Sequence, residues 1–291
     1  MIRNYVLLLG IGVIWGSQFI FQQVAVQDIP PVWIGFARSF IGFMTLFVIC
    51  KYLRLRGGRN WFIFGVIGFL EATVPFVLIP WGQQYVDSSI TAILIATVAF
   101  FATILSPVIL KESNINFFKI LSVIIGFAGL VILFFPDLFS VKKAFNLWGV
   151  LAIILAAASF ACSLLCIKKF GGSLHPVVLA RNVLAMSSIQ LFIVGLFICP
   201  KIHAQPTLPS VSAVVFLGVM CAGVVYFLFM KLIHDAGPIF ASLTNYLVPA
   251  VGVFIGTIIA HEYISINTWV ALATIFIALA VNQISPRKLK L

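Results

Sequence analysis

The hydrophobic positions of this chain form ten long apolar blocks, separated by short segments rich in glycine, proline and charge. Each block holds about twenty residues, the length that crosses a bilayer core of roughly 30 Å as a helix. The pattern therefore predicts ten membrane-spanning segments. Their expected ranges are 5–26, 31–50, 62–81, 88–110, 115–135, 147–167, 176–199, 210–232, 237–260 and 266–284.

Each block is expected to be an α-helix, because in lipid the backbone of a spanning segment must satisfy its own hydrogen bonds. The sequence lacks the alternating pattern of membrane β-strands. The predicted fold class is all-α, a polytopic membrane protein. The first block is too long for the apolar core of a secretory signal and carries Gln18, Gln22 and Gln23, so it is expected to remain as the first helix.

Composition supports this prediction. Apolar and aromatic residues make up 63% of the 291 residues and charged residues only 9%, whereas a soluble domain has about 25% charged residues. A water-soluble globule is therefore excluded. The five cysteines lie within or at the ends of apolar blocks, where free cysteine behaves as a small hydrophobe, so neither a disulfide framework nor a metal site is expected.

The basic residues predict the orientation. With the N-terminus in the cytoplasm, thirteen Lys and Arg residues fall inside and three fall outside, while Arg38 and Arg181 lie within blocks. Cytoplasmic loops of membrane proteins carry such an excess, so both termini are expected to be cytoplasmic. The net charge of +11 then reflects topology and contact with anionic membrane lipid. No nucleic acid is expected as a partner, because no basic loop is backed by a soluble fold.

The two halves of the chain resemble each other. Aligning Glu112 with Glu262 pairs the fourth and ninth blocks without a gap, and the second and seventh blocks each begin with proline and carry one arginine. Residues 1–140 and 141–291 are therefore predicted to form two repeats of five helices, the second inverted in the membrane. Secondary transporters are often built this way, with the site near the midplane. The two glutamates are expected to be helix caps or loop ion pairs.

A family resemblance rests on motifs that follow one another along the chain. They are Trp15-Gly16-Ser17-Gln18-Phe19, Ala37-Arg38-Ser39-Phe40, Asn245-Tyr246-Leu247-Val248-Pro249 and the Glu112 and Glu262 helix ends. In this order they resemble the EamA-like branch of the drug/metabolite transporter superfamily, over essentially the whole chain. The resemblance implies two inverted five-helix repeats and a central cavity lined mainly by blocks one, three, four, six, eight and nine. It also implies export or facilitated movement of amino acids, metabolites or drugs.

The sequence departs from the pattern of that family at two places. Ala99 stands where the fourth block usually has a proline, and residues 159–161 lack the tryptophan that usually opens the second repeat.

Ionisable side chains deep inside the blocks are candidates for function, because each costs about 2.5–3.5 kcal/mol at a helix centre and must face a wet cavity or a partner. Glu71 is the single acid deep within a block. It is interpreted either as a carboxylate that binds a proton, a cation or a substrate amine, or as the partner of Arg38 in a structural ion pair. Arg38 is also a candidate contact for an anionic substrate group. Arg181 is expected to serve a helix end or the interface.

Two polar stripes complete the candidate substrate site. Trp15, Gln18 and Gln22 share one helical face of the first block, a pattern that suits a cavity for amphipathic solutes or, alternatively, contacts between helices. Ser242, Asn245 and Tyr246 repeat the pattern in the ninth block, and Tyr226 of the eighth is a further candidate.

Glycines on the same helices are expected to serve close helix packing instead. They are Gly12, Gly16, Gly252 and Gly256.

These features favour a secondary transporter of small metabolites, such as amino acids or amphipathic drugs, that works by alternating access as an exporter or facilitator. The sequence contains no nucleotide-binding segment, so a gradient is expected to drive movement, with proton coupling if Glu71 titrates. Arg38 leaves organic anions or nucleotide-like metabolites as alternative substrates. An intramembrane enzyme is less favoured, because no pair of acids, His–acid pair or metal cluster lies at one depth. A scaffold or receptor would not explain the repeat.

The expected partners are a small-molecule substrate, membrane lipid and, with coupling, protons. No cofactor is expected, and the protein is predicted to be a monomer or homodimer. The short loops and compact length point to a bacterial inner membrane.

Overall fold

Helices fill almost all of the described chain, and no strand occurs within it. The computed structural model describes residues 2–55, 57–58, 60–111, 117–139, 146–170, 174–198, 205–236, 244–262 and 264–283. Seven helical spans in this part are long and apolar enough to cross a membrane, and three shorter apolar helices cover Phe117–Leu133, Leu247–Ile258 and Ile266–Val281. The all-α class is confirmed, and each predicted block overlaps one of these helices. The count of ten crossings stays a prediction.

The helices follow the predicted blocks closely, with additional breaks. The α-helices are α1 (Ile2–Ala25), α2 (Pro31–Tyr52), α3 (Trp61–Gly68), α4 (Pro75–Gly82), α5 (Ser88–Ile95), α6 (Val98–Leu110), α7 (Phe117–Phe139), α8 (Leu147–Phe170), α9 (Pro176–Ile198), α10 (Leu208–Phe216), α11 (Val225–Ala236), α12 (Thr244–Ile258) and α13 (Ile266–Gln283). Two π-helices interrupt the third and eighth blocks: π1 (Phe69–Thr73) between α3 and α4, and π2 (Leu217–Val224) between α10 and α11.

Residues at the helix ends explain several boundaries. Pro31 and Pro176 begin α2 and α9, where the fixed φ of proline suits a first helical turn and its missing N–H costs nothing. The Asn60 and Asn146 side chains accept hydrogen bonds from the first turns of α3 and α8. Such bonds satisfy backbone N–H groups that a helix start leaves unpaired.

Glycines allow α12 to approach its neighbours closely. A Cβ on Gly12 would lie 2.8 Å from a side-chain atom of α12, and one on Gly16 would lie 2.6 Å from Val251 Cβ. On α12 itself, a Cβ on Gly252 would lie 2.6 Å from a side chain of α5, and one on Gly256 would lie 2.6 Å from a carboxylate oxygen of Glu262. The predicted packing role of these glycines is confirmed.

Other helix pairs complete the bundle. α2 packs against π2 and α9, α9 packs against π1, α8 lies against α4 and α6, and α7 runs along α13. At the contact of α9 with π1, a Cβ on Gly68 would lie 2.8 Å from the carbonyl oxygen of Val183, so this backbone approach requires glycine.

Two ends of the bundle are recognised by their contacts. At the end called here the Arg3 face, Arg3 pairs with Asp235 at 2.9 Å and Lys169 Nζ donates to the carbonyl oxygen of Ile109. At the opposite end, the Glu262 face, Glu262 meets the start of α5. Apart from Arg38 and Arg181, the described Lys and Arg residues lie at or near the Arg3 face. They are Arg3, Lys51, Arg54, Lys111, Lys119, Lys168, Lys169 and Lys231.

Candidate functional site

A cavity of about 540 Å³ extends from the middle of the bundle to the Arg3 face. Its lining runs from Gln18 and Arg38 at the inner end to Lys119 and Lys168 near the face. Six of the predicted site residues line it: Trp15, Gln18, Arg38, Glu71, Tyr226 and Asn245. These six residues come from five separate helical segments, and the structure brings them together around one cavity.

Arg38 is held by two glutamines rather than by an acid. Its side chain is 4% exposed, and its guanidinium donates to Gln22 Oε1 at 3.0 Å and to Gln18 Oε1 at 2.6 Å. The guanidinium also lies 4.0 Å from the centre of the Phe76 ring, in cation–π contact. The alternative of a direct Arg38–Glu71 ion pair is therefore wrong, because the described contacts of Arg38 are with amides and an aromatic ring.

Gln22 lies behind Arg38 rather than at the cavity wall. It is 2% exposed and is absent from the residues that line the cavity. Its predicted role as a direct wall residue is wrong, because the side chain turns toward the guanidinium and is covered by it. The alternative interpretation, a contact between helices, describes its position.

The two carboxylate oxygens of Glu71 differ in their hydrogen bonding. Tyr226 Oη donates to Glu71 Oε1 at 2.9 Å, whereas Glu71 Oε2 is buried without a hydrogen-bond partner. Ser163 lies beside this carboxylate, and its fully buried Oγ has no hydrogen bond of normal geometry. The Ser163 hydroxyl is a hydrogen-bond donor beside this carboxylate, so the two side chains form a buried polar pair.

The helix that carries Glu71 changes to π geometry there. Val74 N bonds the carbonyl oxygen of Phe69, five residues back, and Pro75 has no N–H to offer. The carbonyl oxygen of Leu70 therefore loses its α-helical partners and accepts instead from Ser159 Oγ at 2.7 Å. Single-turn π segments are frequent at functional sites because they redirect a side chain and free a carbonyl.

A second π-helix repeats this arrangement on the other side of the cavity. Val225 N bonds the carbonyl oxygen of Met220, again five residues back, which leaves the carbonyl oxygen of Cys221 free. Trp15 Nε1 donates to that oxygen at 3.2 Å. The indole is thereby fixed at the cavity wall, where it meets the Tyr226 ring edge-on with 5.9 Å between centroids.

The ninth predicted block, which contains α12, forms part of the cavity wall. Asn245 lines the cavity and is exposed to it. Tyr246 lies in α12, but its side chain is outside the described part of the chain, and so is all of Ser242. Pro249 lies inside α12 and also lines the cavity.

The structure brings to the site two residues that the sequence patterns did not single out: Phe76 lines the cavity, and Ser163 is buried beside Glu71. Phe76 follows Glu71 in the third block and supports Arg38. Ser163 lies four residues after Ser159 on the face of α8 that meets π1. Two serines at this spacing in an apolar block are a signal of the same kind as the stripe of the first block. Arg181 lines no part of the cavity and donates to Asn182 Oδ1 at 2.8 and 3.0 Å.

Glu262 closes the opposite end of the bundle. Its carboxylate accepts from Ser88 N at 2.9 Å, from Ser88 Oγ at 2.5 Å and from Ser89 N at 3.0 Å, and so caps the N-terminus of α5. A carboxylate at this position pairs free N–H groups and complements the helix dipole. The predicted capping role of Glu262 is confirmed, whereas Glu112 lies outside the described residues.

Asp28 makes a second closure at this face. One carboxylate oxygen accepts from Ser210 Oγ at 2.6 Å and from the hydroxyl and backbone N–H of Thr207 at 2.5 and 3.1 Å. These bonds, the one from Ser210 first, lower the pKa of Asp28 below its usual value of 3.8. The link ties the end of α1 to the start of α10.

Two glutamines connect these closures to α1. Gln83 Nε2 donates to the carbonyl oxygen of Phe19 at 2.9 Å, and Gln23 Oε1 accepts from Ser88 N at 3.2 Å. No group of three metal-binding side chains occurs in the part of the chain that the structure describes. The polar side chains thus line a cavity on the Arg3 side and form hydrogen bonds between helix ends at the Glu262 face.

The whole chain matches a known protein family. The model of the EamA-like transporter family matches residues 2–135 and 147–283. The chain belongs to the EamA-like transporter family. The resemblance found in the short motifs is thus confirmed over both halves.

Individual EamA-like relatives span most of the chain. The uncharacterized transporter YoaV of Bacillus subtilis is 24% identical over 92% of each chain. An uncharacterized transporter of Buchnera aphidicola is 32% identical and covers 84% of this chain and 82% of its own. The uncharacterized inner membrane transporter YedA of Escherichia coli is 25% identical over 94% of this chain. With the apolar helices, these relatives identify an integral membrane protein.

The fold of this EamA-like chain also occurs in a solved crystal structure. The two superpose with a TM-score of 0.69 at 14% sequence identity, covering 99% of each chain.

Proposed function

We propose that this EamA-like protein is a secondary transporter that exports or facilitates the movement of small amphipathic metabolites, such as amino acids or drugs, by alternating access. The observation that carries the proposal is the cavity of about 540 Å³ that reaches the Arg3 face and ends at Gln18 and Arg38. Beyond that end lie the Glu262 and Asp28 closures. A cavity that carries polar groups at its inner end, is open at one face and is closed at the other is what one state of an alternating-access transporter requires.

Two inverted repeats, 1–140 and 141–291, are part of this proposal. The family match over two separate stretches supports them. So do the two π-helices, because each frees one carbonyl that is bonded by the first helix of the other half: Trp15 bonds π2, and Ser159 bonds π1. Equivalent contacts in opposite directions allow the halves to exchange two equivalent conformations.

The proposed orientation places the Arg3 face in the cytoplasm. Within the described residues, the Lys and Arg side chains near the helix ends lie at that face, as the inside of a membrane protein requires, and the three lysines expected at the other face lie outside the described part. Both termini are then cytoplasmic, and the cavity is open to the cell interior. YedA is named as an inner membrane transporter of a bacterium, which supports the same membrane here.

Glu71 is the proposed coupling group. It is the acid that lines the cavity, and Oε2 lacks a partner. A proton and a cationic solute would compete for this oxygen, so that release of one accompanies binding of the other. Proton antiport follows from this competition.

An organic anion is the second candidate substrate. Arg38, Lys119 and Lys168 line the same cavity as the single acid Glu71, and this excess of cations favours an anionic group.

The test measures counterflow of labelled metabolites in proteoliposomes. It compares wild-type protein with a variant whose larger side chain fills the cavity. Ala102 lines the cavity on α6, and Ala102→Trp should abolish uptake of any metabolite that the wild type exchanges. Val108→Trp, on the same helix at a residue that is 75% exposed, is the matched control and should retain uptake. Unchanged uptake by folded Ala102→Trp protein would contradict the proposal. A panel that includes amino acids, amines and organic anions separates the two candidates.

A further inference from the structure

A second cavity meets the first at Glu71. It measures about 410 Å³, lies between α8, α9 and α11, and shares Glu71, Tyr226 and Lys168 with the larger cavity. Its volume falls within the range of about 300–1,000 Å³ that small-molecule sites occupy. The Glu71–Tyr226 pair therefore forms a common wall between two spaces.

The walls of this side cavity are mainly apolar. Leu179, Val183 and Leu184 line it from α9 and Met230 lines it from α11, each of them buried or half-buried. Water gains few hydrogen bonds in such a space, whereas an apolar group gains free energy in proportion to the surface that it buries. The side cavity thus suits an apolar part of a solute.

The side cavity has an acidic group where it meets the larger cavity. Glu71 lines both spaces with Ser163 beside it, while Arg38 is directed to Gln18 and Gln22 and forms no ion pair with Glu71. A carboxylate oxygen only accepts hydrogen bonds when ionised, and an ammonium group only donates them. The Glu71 carboxylate at the junction is therefore complementary to an amine, and Lys168 lies on the lining of the same two cavities.

We propose that the side cavity is the specificity subsite of the transporter, and that it holds the apolar group of an amine whose ammonium binds the Glu71 carboxylate. This inference rests on the proposed function and adds the class of substrate: a primary amine that carries a branched or aromatic apolar group. The large cavity is the route of entry, and the side cavity selects the size of the group.

The experiment is calorimetric titration of purified protein in detergent, with protein-free micelles as blank. Phenethylamine, ethylamine and 2-phenylethanol are the probes, because they separate the charge from the ring. Burial of the ring should lower the Kd of phenethylamine at least about tenfold relative to ethylamine. 2-Phenylethanol should bind more weakly than phenethylamine, since it lacks the charge.

Variants test the two parts of the subsite separately. Ala180 lines the side cavity, and Ala180→Phe should remove the preference for phenethylamine while ethylamine binding is kept. Ile189→Phe, on the same helix at a residue that is 54% exposed, is the control. It should change neither the preference for phenethylamine nor the binding of ethylamine. Met230→Trp fills the space from the opposite wall and replaces Ala180→Phe if that variant does not fold.

Glu71→Gln should weaken both amines and leave 2-phenylethanol unchanged. If filled variants keep the preference for phenethylamine, or if wild-type protein binds neither amine, the subsite assignment is overturned. The proposed function is judged separately by counterflow with Ala102→Trp, which requires no amine. If that variant loses transport while wild-type protein binds the two amines with equal Kd values, the subsite assignment is rejected and the proposed function is retained.

Discussion

Arg38 and Glu71 lie in the same cavity but have different surroundings. Gln18, Gln22 and Phe76 contact the guanidinium of Arg38, whereas the hydroxyl groups of Tyr226 and Ser163 lie at the carboxylate of Glu71. The protein thus holds the arginine with neutral groups, away from the acid. Glu71 is therefore the proposed binding group, and Arg38 is interpreted as a structural cation of the cavity wall.

Glu71→Gln should abolish the pH dependence of exchange in proteoliposomes, because glutamine keeps the shape of the side chain but cannot bind or release a proton. Exchange rates measured across a pH series in wild type and variant provide the check. Asp235→Asn, at the Arg3 face, is the control and should retain the wild-type profile. The same pH profile in Glu71→Gln would remove the coupling role.

Gln22→Ala should destabilise the protein by about 1.5–3 kcal/mol, the value of a hydrogen bond to a charged group, since Arg38 would lose an acceptor within the bundle. Asn245→Ala should instead weaken solute binding with little effect on stability, because Asn245 faces the cavity. Thermal melting in detergent combined with solute titration separates the two effects. Equal melting temperatures for Gln22→Ala and wild type would contradict this account of Arg38.

Asp28 should make stability depend on pH at the acidic end. Its pKa is lowered in the folded state by Ser210 and Thr207, so its contribution is present above the usual value of 3.8 and is lost as pH falls through the folded-state value. Wild-type protein should therefore lose more thermal stability than Asp28→Asn between about pH 5 and about pH 3. Parallel curves for the two proteins would argue that the bonds to Asp28 add nothing.

At the scale of the helix, the π segments connect the site to the packing of the bundle. π1 carries Glu71 and π2 carries Cys221, and each offers one carbonyl oxygen to a side chain of a crossing helix. A one-residue insertion of this kind changes which face of a helix points to the cavity. The position of Glu71 therefore depends on π1 as well as on its place in the sequence.

Ser159→Ala and Trp15→Phe should each destabilise the protein by about 1–3 kcal/mol, because each leaves a buried carbonyl oxygen unpaired. Ser212→Ala, at an exposed hydroxyl of α10, is the control and should have little effect. Thermal melting of the three variants gives the comparison. No loss in either of the first two would show that the π-helix contacts do not contribute to stability.

The sequence predicted the helices well but not their interruptions. The α2 and α9 boundaries follow from Pro31 and Pro176, and the glycines of α1 and α12 marked a crossing that the structure confirms. The π-helices and the turn at residues 96–97 were not predicted. Hydropathy records which segments enter lipid, whereas a change from i+4 to i+5 bonding depends on partners such as Ser159 from a distant helix.

Six of the nine predicted site residues line the cavity, but their hydrogen-bond partners were not predicted. Trp15, Gln18, Arg38, Glu71, Tyr226 and Asn245 were selected as polar or aromatic groups in apolar segments, and all of them line one cavity. Which of them bond one another depends on helix rotation, which sequence spacing within one helix does not fix. Gln22 is an example. It lies on the helical face expected from the sequence, but its side chain bonds Arg38 and does not face a solute.

At the scale of the molecule, the two ends of the bundle differ. Hydrogen-bonded carboxylates of Glu262 and Asp28 close one end, and the cavity approaches the other between Lys119 and Lys168. The proposed alternating access requires that these closures break while the Arg3 face closes. In the proposed orientation, a residue deep in the cavity is therefore reached from the cytoplasm in this conformation.

Thiol labelling of Ala96→Cys, in a background without the five native cysteines, measures this accessibility. Ala96 lines the inner part of the cavity, after the break that ends α5. A membrane-impermeant maleimide should label it rapidly in inverted bacterial membrane vesicles and much more slowly in right-side-out vesicles without substrate. Labelling from neither side, or faster labelling from outside, would contradict the account.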